Sequence, residues 1–66
     1  MVAVWVLWVK LENLITFQIF LTRSWMNKNA EALVENDPEV QVQPRRYEVG
    51  EFVSLPDEDK WTRAIA

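Results

Sequence analysis

"MVAVWVLWVKLENLITFQIFLT", residues 1–22, decides the fold, because three structures compete for it. It is apolar almost throughout, with its polar break at Lys10, Glu12 and Asn13. A membrane span needs about 20 predominantly apolar residues with few charges. Lys10 and Glu12 would lie near the bilayer centre, where a charged residue costs about 2.5–3.5 kcal/mol. Asn13, Thr16, Gln18 and Thr22 add to that cost, so a membrane partner is disfavoured. A signal peptide fits no better, since no basic residue precedes the apolar run and no small-residue cleavage site follows. A cytoplasmic protein is the expectation.

The hairpin reading accounts for more of the pattern. "VAVWVLWVK" and "LITFQIFLT" are rich in β-branched and aromatic residues, which suit a pleated surface. The break between them falls at Glu12-Asn13, where a turn belongs. In the second run Ile15, Phe17, Ile19 and Leu21 alternate with Thr16, Gln18 and Thr22, the period of a strand with one buried face. The first run is apolar on both faces, which suits a central strand covered on both sides. With a two-residue turn, Leu11 pairs with Leu14 and Trp8 with Phe17. Val4, Val6 and Trp8 then join Ile15, Phe17, Ile19 and Leu21 as the core, and Trp5, Leu7 and Val9 share the other face with Phe20. A three-residue loop exchanges the faces of the first strand. Either way an apolar row remains on the second face.

"SWMNKNAEALVENDP" predicts a helix, with Ser24 as N-cap and Pro38 stopping it just past Asn36. Met26, Ala30, Leu33 and Val34 share one face, with Lys28, Glu31 and Glu35 opposite. "EVQVQP" then reads as a short strand with Val40 and Val42 inward and Gln41 and Gln43 outward. A right-handed crossover returns this strand parallel to the second, on the far side of the first. The expected fold is therefore α+β, a ββαβ domain over residues 1–49 with strand order 2-1-3 and a helix on one face. Residues 50–66 are expected as a C-terminal hairpin around Pro56-Asp57-Glu58-Asp59, or as an arm packing on the sheet or on a partner chain.

Composition narrows the chemistry. The 66 residues contain neither cysteine nor histidine, half are apolar, four are tryptophan, and the formal charge is −3. Disulfides and thiolate metal sites are excluded, and the commonest general base is missing. Asp57, Glu58 and Asp59 lack the glycine and distant glutamate of a calcium loop. Ser24 and Ser54 have no histidine to activate them, and one glycine builds no phosphate-cradling loop. No enzyme, cofactor or metal site is expected. The acidic balance offers no basic footprint for nucleic acid, although Arg45-Arg46-Tyr47 places a basic pair beside an aromatic and is the alternative binding motif.

A chain of this length buries only about 60% of its unfolded surface, so association is the readiest source of further stability. An apolar patch of Trp5, Leu7, Val9 and Phe20 would be larger than monomers usually expose. Its cover is either the tail, through Phe52, Trp61 and Ile65, or another protein chain. The expected contact residues are Trp5, Leu7, Phe20 and Trp61, tryptophan being enriched among interface hot spots.

Residues 1–49, with "SWMNKNAEALVENDPEVQVQP" after the hairpin, resemble the small ββαβ proteins encoded by bacteriophages and prophages. That resemblance implies binding to a host protein, as an inhibitor or modulator. "VGEFVSLPDEDKWTRAIA" resembles the first hairpin of a Tudor or SH3-like barrel, in which Trp61 would contribute to an aromatic cage, but the remaining strands of such a barrel are lacking. The expected function is a non-catalytic protein-binding module that forms a homodimer.

Overall fold

The computed structural model of the chain describes residues 3–48, 50 and 56–63. Its elements are β1 (Ala3–Leu11), β2 (Leu14–Phe20), α1 (Arg23–Asn36) and β3 (Gln41–Glu48). They form a small α+β domain in which β1 is the middle strand of a sheet ordered β2-β1-β3, with both pairs antiparallel. Among the described residues, no helix is long and apolar enough to cross a membrane.

Glu12 and Asn13 alone separate the first two strands, so Leu11 lies opposite Leu14 and Trp8 opposite Phe17. Glu12 takes φ 54°, the left-handed region that L side chains adopt at a cost. In a two-residue hairpin the residues flanking the turn exchange both ladder hydrogen bonds, and such pairs alternate along the strands. Trp5, Leu7 and Val9 therefore bond toward β2, whereas Ile15, Phe17 and Ile19 turn their N–H and C=O groups to the outer edge. On the other side, Val42 N–H donates to Thr62 O at 2.8 Å and Thr62 N–H donates to Val42 O at 3.0 Å. Pro44, two residues on, faces that same outer side, so its missing N–H removes no bond to β1. The third strand consequently runs through the proline to Glu48.

The helix is capped two residues earlier than expected. Thr22 is extended (φ −131°, ψ 148°) and its hydroxyl oxygen accepts from the Trp25 N–H at 3.3 Å, while Ser24 is already inside the first turn. At the other end Asp37 N–H donates to Leu33 O at 3.0 Å and Pro38 prevents another turn. The stripe of Met26, Ala30, Leu33 and Val34 packs against the sheet as expected.

The face it packs against is the other one. Leu7 and Val42 are fully buried beneath Met26 and Ala30, with Trp5, Val9 and Phe20 flanking them. The expected open patch of Trp5, Leu7, Val9 and Phe20 is thus the main core. The cause is the path of the chain from β2 over β1 to β3, which carries the helix across this face. Gln43 also departs from expectation: it is 3% exposed, because the chain after β3 lies over it. Phe52 and Ile65, expected as cover, lie outside the described residues.

Candidate protein-interaction face

With the helix on one side, the other side of the sheet carries Val4, Val6 and Trp8 from β1 and Gln43, Arg45 and Tyr47 from β3. Ile15, Phe17 and Ile19 complete it from β2. Residues 56–63 run along only part of this surface. Thr62 bridges to Val42 at the outer edge of β3. The Gln43 side-chain amide binds the Asp57 backbone in both directions, donating to its carbonyl at 2.9 Å and accepting from its N–H at 3.0 Å. The Asp57 carboxylate meets Arg45 at 3.5 Å and Lys60 at 3.4 Å, partly exposed pairs that contribute little by themselves. Trp61 then packs onto the second buried cluster, formed by Val6, Trp8 and Tyr47.

Arg63 fixes the far end of this segment. Its guanidinium donates to Val34 O at 2.8 Å, to Asp37 O at 3.0 Å and to Val40 O. The last turn of α1 contains no basic residue. A cation from the tail thus takes up the carbonyls and the partial negative charge at the helix C-terminus.

This arrangement covers β1 and β3 and leaves β2 open. Ile15 is 47% exposed, Phe17 52% and Ile19 57%, and Leu21 just past the strand is 80% exposed. Between this row and the tail lies an open cleft of about 730 Å³, walled by Trp8, Ile15, Phe17, Pro56 and Trp61. The Trp8 and Phe17 rings are 5.2 Å apart and tilted by 51°. Lys10, with its ammonium 5.8 Å from the Trp61 ring, joins Glu58 and Asp59 as the charged part of the lining. Among the described residues, the Trp8 indole N–H is buried without a hydrogen-bond partner.

The residues singled out from sequence distribute as follows. Leu7 is sealed in the core, Trp5 and Phe20 are half-buried beneath the helix, and Trp61 stands beside the cleft. Tyr47 is 4% exposed, so it presents no ring for a base to stack on. Arg45 shares its face and lies 5.8 Å from its ring. Arg46 projects to the opposite side of the strand and reaches Glu48 at 3.8 Å. The three do not make one basic surface. Among the described residues, no group of three or more acidic side chains converges as a metal site would require.

Sequence reasoning passed over Arg63, which lies in a stretch with no periodicity to mark it. It also passed over Ile15, Phe17 and Ile19 as surface, because their alternation with polar residues is the ordinary signature of burial. Compared with known protein families, curated proteins and solved structures, the chain matches none.

Proposed function

We propose that this chain is a non-catalytic protein-binding module whose contact surface is the open edge of β2 together with Ile15, Phe17 and Ile19. One observation carries the reading: β2 is an edge strand whose outer backbone groups no strand among the described residues pairs, and its apolar side chains stay half exposed beside the helix and residues 56–63. Native proteins blunt such edges with lysine, proline or a bulge. The segment Leu14–Phe20 has no charged residue and no proline. A strand with these properties is a template for strand addition, in which backbone bonds give affinity and alternate side chains give specificity. The resemblance to phage-encoded ββαβ proteins supports a protein partner, and a host protein as target would add to this same edge. Nucleic acid is the rival class, and a salt titration separates the two, since phosphate-driven affinity falls steeply with salt.

The test places a photo-crosslinking residue at Ile19, with an equivalent at Glu31 on the exposed side of α1 as control. The reading expects discrete protein adducts, with the same chain or with another, from position 19 and not from position 31. Equal yields at the two positions, or none at position 19, overturn it.

A further inference from the structure

We infer that the occupant of this edge is a second copy of the chain, joined β2 to β2 in antiparallel register about a two-fold axis at Phe17. The inference rests on the protein-binding reading and adds the partner. The outward N–H and C=O groups belong to Ile15, Phe17 and Ile19. A two-fold axis through Phe17 sets Phe17 against the partner's Phe17 and Ile15 against the partner's Ile19. Every outward donor then meets an outward acceptor.

The side chains agree with that register on both faces. The axis stands perpendicular to the sheet, so like faces stay on the same side. Apolar residues meet apolar ones across the open face, and Thr16 meets the partner's Gln18 on the helix side. No charge opposes itself, because Leu14–Phe20 carries none. The net charge of −3 on each copy comes from residues outside the strand. The result is an isologous contact that closes at two subunits and extends the three strands into one six-stranded sheet.

The area available is that of a weak, exchanging contact. At their fractional exposures Ile15, Phe17, Ile19 and Leu21 present roughly 450 Å² of side-chain surface, taking about 200 Å² for each whole side chain. With the backbone edge, and if all of it were covered, two copies would contribute at most about 1,000 Å², the size at which weak, transient interfaces begin. A contact at this end of the size range falls in the class of weak, exchanging interfaces, so the test spans low to high micromolar concentration.

Sedimentation equilibrium on the full 66-residue chain, from low to high micromolar concentration, tests this. Wild type should move from 7.8 kDa toward twice that mass as concentration rises. Phe17→Lys and Phe17→Glu should each weaken the dimer by roughly 100-fold or more, because position 17 opposes itself across the axis. An equimolar mixture of the two should recover the dimer, which happens only if residue 17 faces residue 17. Phe17 is half exposed, and the helical circular dichroism of each variant verifies its fold. The Ile19→Lys and Ile15→Glu pair repeats the test at the other opposed positions. Wild type that stays monomeric, or a dimer that survives Phe17→Lys, overturns the inference. A monomer that still forms adducts with another protein at position 19 overturns the second copy alone. A monomer without such adducts removes the protein-binding reading as well.

Discussion

Replacing Arg63 with alanine should lower the unfolding free energy by about 2 kcal/mol. Three carbonyl oxygens, of Val34, Asp37 and Val40, receive the guanidinium, and two of these bonds measure 2.8 and 3.0 Å. Hydrogen bonds to a charged group contribute about 1.5 kcal/mol or more each when shielded from water. The bonds to Val34 and Asp37 are exposed, so water replaces them in part, and holding the side chain costs up to about 2 kcal/mol of rotamer entropy. The favourable field at the helix C-terminus returns about 0.3–1 kcal/mol. What remains is near 2 kcal/mol, a large share of the roughly 3–10 kcal/mol that 66 residues support. Urea unfolding, followed by helical circular dichroism at equal protein concentrations, should show the midpoint falling by about 1–2 M, since the slope for so small a domain is about 1 kcal/mol per molar. Arg63→Lys retains the charge but brings a single nitrogen to three acceptors, so it should recover less than half of the loss. Amide exchange at Val42 and Thr62 should accelerate in both variants, because the bridge between them lies next to the anchor. An unchanged midpoint, or a lysine variant equal to wild type, would refute the assignment of Arg63 as the clamp between tail and helix.

Three further outcomes follow from the geometry. Leu7→Ala, at a fully buried position, should cost about 3 kcal/mol, whereas Phe17→Ala, half exposed, should cost less than about 1.5 kcal/mol; thermal melts that reverse this order would mean that the helix covers the other face. Glu12→Gly should stabilise the hairpin by about 0.5–1 kcal/mol by relieving a positive φ, and a lower melting temperature would contradict that turn geometry. Thr22→Ala should cost about 1 kcal/mol through the lost cap, while Ser24→Ala should stay within about 0.5 kcal/mol of wild type; equal effects in urea melts would sink the cap assignment.

Much of the fold was legible because local signals and topology agreed. The polar break at Glu12-Asn13 marked the turn, and of the two registers it left open the structure takes the two-residue one. The doubly apolar first run required a central strand, and the crossover rule set the order 2-1-3. The stripe of Met26, Ala30, Leu33 and Val34 was readable from helical spacing alone. Residues 56–63 were not readable in this way. Their placement depends on a few long-range contacts, Gln43 to Asp57, Thr62 to Val42 and Arg63 to the end of α1, and no periodicity announces such contacts.

The choice of sheet face is the more instructive case, because the information was present in three separate rules. A two-residue turn makes Leu11 and Leu14 a hydrogen-bonded pair, so Trp5, Leu7 and Val9 bond toward β2. For L residues, the direction of those bonds fixes the face on which the side chains stand. A right-handed connection from β2 to β3 must then cross that same face, and it carries α1 over Leu7 and Val42. Alternation in β2 pointed the other way, because Ile15, Phe17 and Ile19 looked like residues awaiting the helix. Chirality overrules that local pattern, since reversing it would require a left-handed crossover, whereas an exposed apolar row requires only a partner. The conflict between the two signals therefore falls at the outer edge of β2, which no strand among the described residues pairs. The proposed second copy would pair that edge and set the two apolar rows side by side, leaving both the hairpin and the helix as they are.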